Sequence, residues 1–445
     1  MNSRQRLQAT LNHQPADQLC VDFGASMVTG MGAGAVHRLR QAVLNDLSWQ
    51  VKIVDPYQML GEIDEQLRQT LGLDVVGIHV PNTMFGFPVN EVWKPFTMFD
   101  GTPVLVPEHF NTTIADNGDV LIYPEGDFSA APRGRMPKDG YFFDTIVEQS
   151  PIDDDNLDVA DNTEEFAPIP VENAHFMGQQ AEHYAKETDY GIYIAIPGCA
   201  FGDIALVPAP WMKHPKGIRD IEEWYISTIT RPDYIRAVFD RQLECSLATI
   251  DRLAQTVGDN ADVAFVSGTD FGAQDGLFIS VDCYKTLFKP YHVAVNKRIH
   301  EKTNWKTFIH CCGSIVELIP EFIDAGFDIL NPVQCSAAGM DPRMLKREFG
   351  SDIVFWGGGV DTQKMLPFGT PEEVYRQVRE RIDIFFGDST GFVFNSIHNV
   401  TSNVPTENII AMFRALRDAR GGHLLQESVP KWHVSRSPQS NINIA

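Results

Sequence analysis

Basic residues are scarce in this chain. It carries 36 lysines and arginines against 59 aspartates and glutamates, a formal net charge of −23. A surface of that sign repels nucleic acid and anionic lipid, so the sequence predicts neither a nucleic-acid nor a membrane partner. Cysteine is sparse as well: seven in 445 residues, at positions 20, 199, 245, 283, 311, 312 and 335. That thin, odd-numbered scatter, with no CxxC pair, argues against a disulfide framework. Long apolar runs are missing. None approaches the ~18 residues of a membrane-spanning helix, and the opening MNSRQRLQATLNHQP has no apolar core of signal-peptide length. The expectation is a cytoplasmic protein. There is no GxGxxG, and hence no dinucleotide site is inferred.

What is present is a βα rhythm. With 43% hydrophobic and 21% charged residues, the composition is that of an ordinary globular protein. Short apolar runs occupy 18–25, 73–81, 191–198, 261–268, 306–313, 327–334, 352–359 and 391–399, and those in the second half are separated by segments of helical periodicity. Apolar runs without strict alternation read as parallel strands buried on both faces. Asp341-Pro342 and Thr370-Pro371 are N-cap and N1 pairs, and Gly326, Gly350 and Gly387 stand where helices should stop. Eight βα units predict a distorted (β/α)8 TIM barrel spanning 1–422. VKIVD at 51–55 leaves the strand count open by one. Residues 82–170 break the rhythm and read as a β-rich insertion. In it, 104–124 forms two strands joined at Asp116-Asn117-Gly118, and the acidic 150–170 stretch is a solvated loop. The insertion follows a strand, so it covers the catalytic face, or else serves as decoration or an oligomer contact. Residues 423–445 read as a flexible tail.

In a parallel barrel, chemistry gathers at the strand C-termini. His310-x-Cys312 is the sharpest feature there. Alternate strand residues share a face, so both point into the barrel mouth while Cys311 faces the helices. An imidazole and a thiolate make half of a Zn²⁺ site, which either Cys335 or His398 would complete. The competing reading is a small buried cysteine beside a histidine bonded to a backbone carbonyl. Asp270 and His398 are candidate catalytic groups, for proton transfer or substrate positioning. Asp22, Gly24, Met27, His79, Gln274, Gln334, Gly358, Asp361 and Asn395 are candidate substrate or cofactor contacts. Gly358 is included because a glycine lets backbone approach a ligand.

Several stretches resemble the uroporphyrinogen decarboxylase superfamily. They are HCCGSIVELIPEFIDAGFDILNPVQ, LKREFGSDIVFWGGGVDTQKMLPFGTPEEV, GFVFNSIHNVTSNVPTENIIAMFRA, RQRLQATLNHQPADQLCVDFG and VSGTDFGAQDGLFISVDCYKTLFKPYH. The resemblance covers most of 1–420 outside the insertion. It implies a distorted barrel with a cleft at the strand C-termini. It also implies one of two chemistries: cofactor-free decarboxylation of a porphyrinogen, or zinc-dependent methyl transfer linked to a corrinoid. The decarboxylases carry an arginine-rich segment after the first strand, where this chain reads Phe23-Gly24-Ala25-Ser26-Met27-Val28-Thr29-Gly30. A substrate with many carboxylates needs bidentate cationic partners. The methyltransferase branch carries His-x-Cys and a more distant cysteine. In its coenzyme-M-type members that cysteine lies on the last strand, where Asn395-Ser396-Ile397-His398 holds none. The resemblance therefore implies a methyltransferase with Zn²⁺ at His310, Cys312 and Cys335 or His398. A corrinoid protein would be its partner, with a small methyl donor or acceptor, and a homodimer is possible. The alternatives are a decarboxylase using Asp270 or Asp22, and a corrinoid- or tetrapyrrole-binding protein without catalysis.

Overall fold

The computed structural model describes residues 1–89 and 92–421. The segment expected to be a flexible tail, 423–445, lies outside the described residues. The eight apolar runs all form strands: β1 (Cys20–Val21), β2 (Val75–Ile78), β3 (Gly191–Ala195), β4 (Val263–Ser267), β5 (Lys306–His310), β6 (Ile329–Asn331), β7 (Val354–Trp356) and β8 (Phe392–Phe394). They pair in parallel in the order β1-β8-β7-β6-β5-β4-β3-β2, a nearly closed TIM-barrel-like sheet with helices outside. Alternation along each strand sorts the core into two clusters. Cys20, Tyr193, Phe265, Phe308, Val354, Trp356 and Val393 fill the barrel interior. Val21, Ile309, Leu330, Phe355, Phe392 and Phe394 pack against the helices. This two-sided burial is why the strands read as unbroken apolar runs.

No ladder joins β1 to β2. A single residue, through its backbone and its side chain, closes that seam instead. Asp74 donates its N–H to Val21 O at 2.8 Å, and its Oδ2 accepts the Val21 N–H at 2.8 Å. Its carboxylate also meets Arg6 Nη1 at 2.5 Å and Arg420 Nη2. The helix Ser3–Leu11 and the chain beyond helix Thr406–Ala419 are thereby tied to one carboxylate.

VKIVD is a strand, Val51–Asp55, but not a barrel strand. It pairs with Leu60–Gly61 and Pro103–Pro107 in a separate four-stranded sheet that Trp93–Thr97 completes. The expected two strands of 104–124 are three: Pro103–Pro107, Thr112–Ile114 and Val120–Ile122. After Pro107 the chain turns, with Phe110 N–H donating to Pro107 O, so the first piece joins the Val51–Asp55 sheet. The hairpin at Asp116-Asn117-Gly118 forms as read, with Thr112 opposite Ile122 and Gly118 at φ 90°, a conformation glycine adopts without penalty. A meander through Gly134–Met136 and Asp144–Thr145 completes the second sheet. The acidic stretch is less solvated than expected at its end. Glu165 pairs with the buried Arg219 at 2.6 Å, and Asn162 accepts the Ile218 N–H at 2.6 Å. Arg133, 3% exposed, donates to Met212 O and Lys213 O, fastening these sheets to the loop after β3. Both anchoring segments leave strand C-termini, which puts the insertion on the side of the barrel mouth.

Candidate metal centre at the barrel mouth

β5 ends with Phe308 in the inner cluster and Cys311 in the helix-side cluster. The same alternation turns His310 and Cys312 inward, with Cys312 Sγ 3.2 Å from His310 Nε2. A tetrahedral zinc with bonds of about 2.3 Å to sulfur and about 2.0 Å to nitrogen sets such a pair about 3.5 Å apart. His398, in the loop after β8, brings the third donor: one ligand atom from each of His310, Cys312 and His398 lies within 4.8 Å of the others. The two rings stand 5.5 Å apart at 73°.

The group is oriented from behind. Asn331 ends β6 directly opposite His310 in the parallel register. Asn331 Nδ2 donates to Trp356 O at 2.7 Å, which turns its Oδ1 toward His310 Nδ1 at 2.5 Å. An acceptor there puts the ring proton on Nδ1 and leaves the Nε2 lone pair facing Cys312. Asp270 Oδ1 accepts the Cys312 N–H at 2.6 Å, and Tyr225 OH donates to Asp270 O. His398 Nδ1 accepts the Asn399 N–H at 2.8 Å. Its Nε2 has no hydrogen-bond partner among the described residues.

Burial sets the electrostatics. Desolvation lowers both imidazoles, His310 and His398, to about 4, so both are neutral at pH 7. Burial, reinforced by the charge of Asp270, pushes the Cys312 thiol well up. Burial likewise raises Asp270, against the Cys312 N–H that it accepts. Two neutral nitrogen donors and a thiol that ionises only beside a cation suit a divalent soft-to-borderline metal.

Cys335, expected as a ligand, is outside this group. The chain bends at Val333 (φ 59°), Cys335 N–H returns to Val333 O at 2.8 Å, and the side chain packs against the helix-side core. Burial holds its thiol up at about 11. Gly358 does not face open space either, since a Cβ built there would stand 3.3 Å from Val333 and 3.4 Å from Cys335 Sγ. Asp22 is fully buried below the mouth, accepting from Trp356 Nε1 at 3.1 Å and Ala25 N–H at 3.1 Å, and desolvation raises it to about 6. Gly24 donates its N–H to Thr29 O. The loop it opens crosses β2 so closely that a Cβ on Gly77 would lie 1.7 Å from Ala25 O. Met27 lends its carbonyl to Gln58 and Asn399, and its side chain packs on the inner cluster. His79 bonds Ala25 O at 3.1 Å. Asn395 donates to Asp22 O.

Gln334 and Gln274 form a staple: Gln334 Oε1 accepts the Gly313 N–H at 2.8 Å, and its Nε2 donates to Gln274 Oε1 at 3.0 Å. They hold the loops after β4, β5 and β6 together behind Cys312. Asp361 caps its own turn, accepting the Gln363 N–H at 2.8 Å. Of the anticipated residues, then, the structure brings His310, Cys312, His398 and Asp270 together. It adds Asn331 and Tyr225, which the sequence reading passed over. Asn331 had a signal: aligning the ends of two adjacent parallel strands places it beside His310.

The family model described as "Uroporphyrinogen decarboxylase (URO-D)" matches residues 204–419. A methylated-thiol–coenzyme M methyltransferase of Methanosarcina mazei is 28% identical over 222 residues, covering 48% of this chain. The match spans about half of that relative, 53% of its length. A solved methyltransferase structure from Methanosarcina mazei superposes with a TM-score of 0.53 at 14% identity, covering 94% of this chain and 99% of that one. At that identity the superposition speaks for the fold. The stretch that matches the uroporphyrinogen decarboxylase family model, residues 204–419, carries β4 to β8 and the His-x-Cys element, and the chain resembles the methyltransferase-like branch of that superfamily.

Proposed function

We propose that this chain is a methyltransferase that moves a methyl group between a small substrate and a corrinoid carried on a partner protein, with Zn²⁺ held by His310, Cys312 and His398. The convergence of those three side chains within 4.8 Å supports this reading most directly. Bound there, Zn²⁺ would supply a Lewis acid that lowers the pKa of a substrate thiol or polarises the atom carrying the methyl group. The chain's own residues do the rest. Asn331 fixes the His310 tautomer. Asp270 pins the Cys312 backbone so that the thiol stays inward. The insertion stands on the side of the mouth, where it can shape the pocket or the partner surface.

Decarboxylation of a many-carboxylate substrate fits less well. The loop after β1 has no arginine, and of the two acids expected to serve it, Asp22 is fully buried and bonded to Trp356 Nε1 while Asp270 accepts the Cys312 N–H.

Elemental analysis of purified wild type and Cys312→Ser tests the reading, paired with methyl transfer between methylcobalamin and a panel of thiols. About one zinc per chain is expected in the wild type, with zinc and transfer both lost in the variant. Full transfer by Cys312→Ser would defeat it.

A further inference from the structure

The loop after β3 brings to the mouth a carboxylate that the metal cluster does not use. Asp203 is 8% exposed. Its Oδ1 accepts the Ala205 N–H at 2.9 Å, while Oδ2 has no hydrogen-bond partner among the described residues. Just past the end of β4, Gly268 has no side chain, and Oδ2 lies close against its backbone. A Cβ built there would stand 2.8 Å from Oδ2 and 3.2 Å from the ring of Phe265, an inner-cluster residue. Oδ2 is therefore aimed over the top of the barrel interior. Asp270 stands close enough to act on it by charge, and the phenols of Tyr57 and Tyr225 lie within its field. Among the described residues, no lysine or arginine acts on Asp203, Asp270, His310, Cys312 or His398. A carboxylate oxygen with no protein partner that still touches solvent gains a charge-assisted hydrogen bond from an incoming cation. A sulfonate or carboxylate would instead meet two acids and no base.

We propose that Asp203 Oδ2 is the recognition point for an ammonium group on the substrate, so that the barrel mouth takes small ammonium-bearing molecules and rejects anions of equal length. Linking that ammonium to methyl transfer rests on the function proposed above; the binding itself does not.

The test uses three thioethers, CH₃–S–CH₂–CH₂–X, with X an ammonium, a hydroxyl or a sulfonate. Each is titrated calorimetrically into zinc-loaded wild type, Asp203→Asn and Gly268→Ala at about pH 8, where Asp203, raised to about 7, is ionised. The ammonium compound should bind about tenfold tighter than the alcohol, with the sulfonate weakest. Asp203→Asn should bring the ammonium compound down to the alcohol's affinity while leaving the alcohol within about twofold. Gly268→Ala presses a methyl group against Oδ2 and should lose the same preference while its thermal unfolding stays cooperative. Equal affinity for all three compounds, tightest binding of the sulfonate, or unchanged ammonium binding in Asp203→Asn would overturn the proposal. Calorimetry needs no turnover. A protein that selects the ammonium compound but transfers no methyl group sinks only the methyltransferase reading. One that transfers methyl groups yet prefers the sulfonate sinks only this one.

Discussion

Asn331 and Asp203 show how much a single side chain can decide at this mouth. Asn331 presents one carbonyl oxygen to His310 Nδ1. Replacing it by alanine leaves that ring free to take the other tautomer and to rotate. Zinc affinity, measured by competition with a chromophoric chelator, should fall roughly 10–100-fold in Asn331→Ala, with Asn331→Asp retaining most of it. Asp203 makes a prediction about acidity. Its carboxyl is raised, chiefly by burial and further by Asp270, from the usual value of 3.8 to about 7. The folded state therefore holds a proton that the unfolded state has lost between about pH 4 and about pH 7. The stability tied to that proton is complete below about 4 and gone above about 7. At about 1.4 kcal/mol per unit, Asp203→Asn should gain roughly 2–4 kcal/mol over wild type at pH 8 and little at pH 4. Urea unfolding at the two pH values measures the difference. A constant gap between the two proteins would refute it.

Strands and turns carry the next scale. The β1–β2 seam depends on Asp74, which satisfies the Val21 N–H and faces two buried guanidiniums, Arg6 at 5% and Arg420 at 6% exposure. Asp74→Ala leaves the buried Arg420 with carbonyl partners only and Arg6 with Asp17 as its remaining carboxylate, and it should lower the unfolding free energy by about 3–5 kcal/mol in a denaturant titration. The barrel strands could be read from sequence because burial on two faces writes apolar runs that need no context. The insertion was read less well. Its strands are short and partly exposed, and Pro103 and Pro107 bound one of them, so pairing partners rather than pattern decide which sheet each joins. The metal cluster divides the same way. His310 and Cys312 follow from the period of β5. The exclusion of Cys335 follows from a left-handed residue at Val333 that no periodicity reveals. The part played by Asn331 needs the register of β5 on β6.

Over the whole molecule, the family match starts at residue 204, after three of the eight barrel strands have passed. A fragment of residues 204–445 would keep β4 to β8 and leave both outer strands of that sheet unpaired. Parallel strands with open edges and an uncovered apolar face associate. The fragment should be insoluble or unfold without cooperativity, in contrast to the full chain, as light scattering and thermal melts would show. The seam at Asp74 also sets a clock for biosynthesis. Arg420 lies 346 residues beyond the carboxylate it clasps. At ~5–20 residues per second the ribosome needs roughly 20–70 s to deliver it. Through that interval β2 exists without its finished clasp, so in a nascent chain the seam stays open until Arg420 has left the ribosome.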